Sequence, residues 1–198
     1  MSQLNDVSIR KSLILKLKNQ AVRPKAIIEE LRVHNGKAIA DVVALYAEAH
    51  CFEIKGDGDK IERILKQGKY YNLSFRKITV ITTLKHLKKA LSLAPTYWGI
   101  MIAEEQAAEI KIKYIRAAKN NPNFNKSVAL LTLWKDEMLE LTDCNNKHKN
   151  SSRAVLAELI ANNKRKIELS QNIAITLLDR CTLNQYSRSE ERRVGKEC

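Results

Sequence analysis

Long apolar runs are missing from this chain of 198 residues. Nothing in it approaches the ~18 consecutive apolar residues that a membrane-spanning helix needs, so no membrane partner is expected. The opening stretch MSQLNDVSIRKSLILKLKNQ mixes charge into its apolar residues. A secretory leader needs an unbroken apolar core, so none is read here. Cysteine is scarce and scattered: Cys51, Cys144, Cys181 and Cys198 form no C-x-x-C pair. That spacing suggests neither a zinc site nor a disulfide framework, and a reducing, cytoplasmic setting is the expectation. Three prolines and six glycines are too few for a low-complexity chain. No phosphate-binding glycine loop and no nucleophile elbow is found, so no motif supports an enzyme of small substrates.

What the chain does have is basic charge, 35 Lys and Arg against 22 Asp and Glu, for a net +13. Such an excess favours a polyanionic partner such as nucleic acid, although lysines also solvate any surface. The terminal run RSEERRVGKEC, Arg188 to Cys198, departs from the pattern before it. All eleven of its residues match the in-frame translation of a common sequencing-library adapter. It is set aside as foreign to the fold, with the natural C-terminus expected to be missing. Removing its four basic and three acidic residues lowers the net charge by one.

Periodicity divides the rest. An amphipathic helix is expected from Asp6 to about Gln20, capped by Asp6 or Ser8. KAIIEELRV reads as a strand, HNGK as a turn, and AIADVVALY and AHCFEIKG as two further strands. DKIERILKQGKYYNLS keeps the i, i+3, i+4, i+7 spacing of a helix through Ile61, Ile64, Leu65 and Gly68. KITVITT and YWGIMIA are strands on either side of the short helix LKHLKKALSLA. EIKIKYIR offers one more strand, and AAKNNPNFN a loop. Three helices then follow: KSVALLTLWKDEMLEL with Trp134 in the core, SSRAVLAELIANN and KIELSQNIAITLLDR. No turn glycine marks the last two as a helix-turn-helix. The expected architecture is an α/β core over residues 1–104, with a mixed sheet flanked by helices. A mainly helical extension over 105–187 and the foreign tail 188–198 complete it.

The chemistry concentrates in HCFEIKGDGD, His50 to Asp59. Residues two apart on a strand share a face, so Glu53 and Lys55 point one way while Phe52 and Ile54 point the other, into the core. A hairpin turning about Ala47 would set Asp41 opposite Glu53. Opposed carboxylates repel, and that placement is unfavourable unless a cation lies between them. A hard divalent ion suits it: Mg²⁺, or Mn²⁺ in its place, takes one or two carboxylates plus water and a substrate phosphate. Glu30 or Glu29 on the preceding strand is a third candidate carboxylate. Asp57 and Gly58 read as a turn, with Asp59 as the cap of the next helix. Arg63, Gln67 and Tyr71 fall on one face of that helix.

This order of residues resembles the PD-(D/E)XK nuclease superfamily. The early acidic residue is Glu30 by position, the Asp is Asp41 in IADVV, the E-x-K is Glu53-Ile54-Lys55, and Gln67 with Tyr71 matches a Q-x-x-x-Y feature of several branches. The proline of the motif is replaced by Ala40. The strings FEIKGDGD, APTYWGI and LLTLWKDEML also resemble a small bacterial family within the superfamily, which carries Ser at Gly56 and Trp at Tyr97. The resemblance implies a restriction-endonuclease-like fold and a Mg²⁺-dependent nuclease acting on DNA. In it Asp41 and Glu53 hold the metal, Lys55 positions water, Glu30 assists, and Gln67 supports the site. The rival expectation is a nuclease-derived module that binds nucleic acid or protein without cutting. Oligomeric state is not legible.

Overall fold

The computed structural model describes residues 4–194 except 108, 143 and 144, with side chains described to 183 apart from 145 and 146. The alternating and apolar runs pair into one six-stranded sheet. Its strands are β1 (Ala26–Val33), β2 (Ala38–Leu45), β3 (Ala49–Lys55), β4 (Lys77–Thr83), β5 (Gly99–Gln106) and β6 (Glu109–Arg116). They lie in sequence order across the sheet. The pairs β3–β4 and β4–β5 are parallel and the other three antiparallel. Parallel neighbours need a crossover, supplied by helices α2 (Arg63–Ser74) and α3 (Leu84–Leu93). The mixed α/β sheet flanked by helices is therefore as expected. Central strands buried on both faces read as continuous apolar runs, which is why KITVITT shows no alternation.

Helix α1 (Asp6–Lys18) covers one face. Ile9, Leu13 and Leu17, one turn apart, are fully buried against Val42, Phe52, Ile54, Ile81 and Met101. Each such side chain contributes about 1.5–3 kcal/mol of burial. The cap of this helix is Asn5, whose side chain accepts from the Ser8 N–H at 2.9 Å. Asp6, expected as the cap, turns to Arg10 instead.

The other face carries α2, α4 (Lys126–Leu130), α5 (Lys135–Glu140), α7 (Arg153–Asn163) and α8 (Lys166–Val194), with α6 (Asn145–His148) between α5 and α7. Leu130, Leu156, Leu169 and Leu177 share one core with Leu31, Tyr71 and Val80. The expected boundary at residue 104 therefore divides a continuous body: β6 extends the sheet beyond it, and the helices complete the core.

Four local expectations change. KSVALLTLWKDEMLEL is two short helices, broken by a turn at Leu131–Leu133. Trp134 is the N-cap of the second, 58% exposed rather than in the core. Asp59 does not cap α2: its carboxylate accepts the Gly56 N–H at 2.8 Å, and α2 begins later, after Glu62. Gly68 is a contact site rather than an apolar position, since a Cβ there would lie 2.9 Å from the buried Trp98 ring. Finally, α8 continues past Arg180 to Val194, into the segment read as foreign. Residues 195–198, like Cys144, lie outside the described residues.

Candidate active site

Strands β2 and β3 are joined through Tyr46, whose N–H bonds the Glu48 carbonyl. The ladder runs Leu45↔Ala49, Ala44↔His50, Val43↔Cys51, Val42↔Phe52. This is the register that sets Asp41 against Glu53, and the ladder stops one residue short of that pair. The two strands part there for a local reason. On β2, Ala38 and Ala40 face the same core as Val43 and Leu45. Strict alternation would put odd and even positions on opposite faces, so the facing switches at Asp41. On β1 the same core takes Leu31 and Val33 together with Ile28, and the switch falls at Glu30, whose φ is 56°. A non-glycine residue in this left-handed region costs on the order of 1 kcal/mol. Glu30 and Asp41 are the one opposed position missing from an otherwise regular β1–β2 register.

Freed from the ladder, the Ile54 N–H donates to Asp41 Oδ2 at 2.7 Å. The carboxylate thus replaces a lost backbone acceptor and is fixed at the mouth of the gap. Beside it Glu53 is fully buried. Lys55, itself 4% exposed, donates from Nζ to Glu53 Oε1 at 2.5 Å. Tyr71 Oη lies 2.7 Å from Glu53 Oε2 and 2.7 Å from the Ile39 carbonyl. Gln67 Nε2 reaches the same hydroxyl at 3.4 Å, and its Oε1 is buried without a partner. Below, Thr82 donates to the Lys55 carbonyl at 3.1 Å. Phe52 and Ile54 point into the α1-side core, as the two-residue period required.

The electrostatics follow from this crowding. Burial, and next the Glu53 charge, push the Asp41 carboxyl up to about 7, against the opposing pull of the Ile54 N–H and Lys55. Burial and then Glu53 also raise the Tyr71 phenol, which stays protonated and available as a donor. Cys51, one turn of the pleat before Glu53, is raised by burial and by both carboxylates, so it is an inert thiol.

The early acidic residues are placed differently from expectation. Glu30 and Glu29 turn to Arg10 of α1, at 3.1 and 3.7 Å, and Arg10 also holds Asp6 at 2.8 Å. Glu30 is 69% exposed along its side chain. Among the described residues no group of three or more His, Cys, Asp or Glu could hold a metal ion together. The Glu30 carboxylate is engaged by Arg10 of α1 at this edge of the sheet. Asp41 and Glu53 remain a donor set that fits Mg²⁺, which keeps several waters and takes one or two carboxylates. Each ionised carboxylate has about four acceptor sites, so Lys55 and Tyr71 leave part of Glu53 free.

Sequence reasoning placed Tyr71 on one helix face with Gln67 and gave it no role of its own; the structure puts its hydroxyl on Glu53. Its spacing from Gln67 was the available signal. Arg10 was missed, because nothing in its neighbourhood along the chain marks contact with β1. Asp57 acts as a clasp: Leu4 N–H donates to its carboxylate at 3.2 Å, and its N–H to the Leu4 carbonyl at 2.9 Å. Gly56, where the resembling family carries Ser, has a reason here. A Cβ at this position would meet the Leu4 carbonyl at 2.5 Å.

With this geometry in place, comparison with known proteins gives three findings. The family described as Bacteriophage P4 protein cII matches residues 1–180. Protein cII of Enterobacteria phage P4 is 25% identical over 150 residues, covering 73% of this chain and 57% of that protein. The chain thus spans little more than half the length of that relative. A protein of unknown function from Silicibacter pomeroyi has a solved structure that matches at 20% identity and a TM-score of 0.37, over 48% of this chain and 60% of that one.

Proposed function

The chain belongs to the bacteriophage P4 protein cII family, and we propose that it is a metal-dependent nuclease that hydrolyses DNA phosphodiester bonds. One observation carries this reading: where β2 and β3 part, the register sets Asp41, fixed by the Ile54 N–H, against the buried Glu53 with a buried lysine on it; burial first and the Glu53 charge second raise the Asp41 carboxyl to about 7. Repelling carboxylates in a half-buried gap are stabilised by a cation. The PD-(D/E)XK resemblance assigns the same residues.

Asp41 and Glu53 would hold Mg²⁺, with Mn²⁺ as a substitute. The ion supplies a polarised phosphate oxygen and a water of lowered pKa. The remaining work belongs to the chain. Lys55 carries the positive charge that orients the attacking water and meets charge developing on the phosphate. Tyr71 fixes the second oxygen of Glu53, and Gln67 steadies that hydroxyl. The basic surface holds the DNA backbone without reading its sequence.

A second reading has its own support. Lys55 and Tyr71 each already take one oxygen of Glu53, so the cluster holds together without an ion. That arrangement also suits a nuclease-derived binding module.

Cleavage of supercoiled plasmid and of short single strands, in Mg²⁺, in Mn²⁺ and in chelator, tests the proposal. Metal-dependent cutting by the wild type, lost in folded Glu53→Gln and Lys55→Met proteins, is expected. Cutting by Lys55→Met at the wild-type rate would falsify the assignment. Nucleic-acid binding that is salt-sensitive, unaffected by chelator and uncoupled from any cutting would establish the binding module instead.

A further inference from the structure

A second concave site lies between the β1–β2 hairpin and the helical layer. It encloses about 410 Å³ and is lined by Glu30, Arg32, Thr132, Trp134, Arg153 and Arg180, among others. Pockets of about 300–1,000 Å³ hold single small ligands, a size that suits one nucleotide. The site adjoins the candidate active centre, because Glu30 lines it and stands opposite Asp41 in the β1–β2 register.

Its charge is unbalanced. Glu30 is taken by Arg10, and Arg180 by Glu137. Arg153 is half-buried, and its guanidinium donates to the neutral carbonyls of Leu131 and Leu133, at 2.6 and 2.5 Å. No carboxylate among the described residues neutralises it, and its Nε is buried without a partner. Thr132 Oγ1 beside it is likewise buried and unpaired. Arg32 of β1 also lines the cleft and is exposed, and no carboxylate pairs with it among the described residues. A half-buried guanidinium with only neutral partners focuses positive potential into a cleft. An anion is the complement.

The rim adds an aromatic platform. The turn at Leu131–Leu133 lifts Trp134 out of the core, to 58% exposure. Arg180 lies over its ring with Cζ 4.2 Å from the centroid. That contact fixes the plane of the indole and leaves the rest of the ring open to solvent. Cations around an exposed, oriented indole form a stacking site for an unpaired base and its phosphate, at about 1–3 kcal/mol per stacked base. A base inside a duplex has no free face to offer.

We propose that this cleft holds an unpaired nucleotide of a single-stranded DNA segment beside the cutting centre, so that the substrate of the enzyme is single-stranded. The proposal rests on the nuclease reading for the fate of the strand, but binding in the cleft is measurable without cleavage.

The test uses the Glu53→Gln protein in chelator at low salt, titrated with oligothymidylate and with a blunt hairpin duplex of equal length. The chain has two tryptophans, and Trp98 is 1% exposed, so quenching reports chiefly on Trp134. Saturable quenching by the single strand, absent in Trp134→Phe, is expected. By anisotropy of a labelled strand, Trp134→Ala and Arg32→Glu should each weaken binding about tenfold. Arg32 is exposed and its substitution leaves the core intact, so it guards against a folding artefact at Trp134. Equal or tighter binding of the duplex, or single-strand binding unchanged in both variants, overturns the proposal. Cutting by the wild type that ignores Trp134 and Arg32 sinks the cleft and leaves the nuclease. Quenching as described, with no cutting under any metal, sinks the nuclease and leaves the cleft.

Discussion

Two ion clusters flank Asp41 with nearly the same chemistry and opposite settings. On one side Glu53, Lys55 and Tyr71 form a buried unit whose two charged members are nearly inaccessible to solvent. On the other Arg10 gathers Asp6, Glu29 and Glu30, whose carboxylate side chains are 36 to 69% exposed. Water screens the second cluster, so its pairs are worth about 0–1 kcal/mol. Around Glu53 no water does that work, and each partner is needed. Burial, more than residue type, separates Glu53 with its fixed partners from Glu30 with its screened ones.

The sharpest break between the clusters is in cleavage. Glu53→Gln and Lys55→Met should each lower the rate at least about 100-fold, measured per folded protein. Glu30→Gln should stay within about threefold. A Glu30→Gln protein that fails to cut while Glu53→Gln cuts would invert the comparison.

Stability should divide the clusters in the same way. Lys55→Ala leaves a buried carboxylate uncompensated and should cost about 3–5 kcal/mol in urea denaturation. Arg10→Ala should cost no more than about 1 kcal/mol. Similar losses for the two would show that the buried pair is hydrated.

Asp41, between the clusters, sharpens the contrast through pH. Its folded pKa of about 7 lies above the ordinary 3.8. The native state therefore holds the proton more tightly, and stability falls as pH rises from about 4 through 7. Asp41→Asn keeps an acceptor for the Ile54 N–H and removes the charge. In chelator it should equal the wild type near pH 4 and exceed it at pH 8 by on the order of 3 kcal/mol. Millimolar Mg²⁺ should narrow that gap by stabilising the wild type alone. A gap that does not change with pH would remove the repulsion from the account.

Smaller effects complete the series. Tyr71→Phe removes one buried hydrogen bond to a charged group and should cost about 1.5–3 kcal/mol. Glu30→Gly relieves a left-handed φ of 56° and gives up only a screened ion pair, so it should stabilise by about 0.5 kcal/mol. Loss of stability there would mean that the Arg10 cluster is stronger than its exposure implies.

Much of this was legible along the chain. The period of two placed Glu53 and Lys55 on one face, with Phe52 and Ile54 on the other, because a strand pleat permits nothing else. The hairpin about Ala47 set the register, and the spacing of Gln67 and Tyr71 put both on one helix face. The single helix drawn through Trp134 was wrong for a definable reason. Its apolar residues keep helical spacing, but Leu130 and Leu133 are buried in the core across a turn that periodicity does not register. Asp59 carried the composition of a helix cap, yet its carboxylate went to Gly56, where the chain needed a clasp before α2 could start.

The sequence by itself determined which residue types line each face, the order of the elements and the candidates Asp41, Glu53 and Lys55. These depend on local period and on the chemistry of single residues. Only the tertiary structure decided where β2 and β3 part, that Arg10 claims Glu29 and Glu30, and that Arg153, without a counter-charge among the described residues, lines one cleft with an exposed Trp134. Such outcomes depend on which distant groups share a low-dielectric space, and separation along the chain carries no information about that.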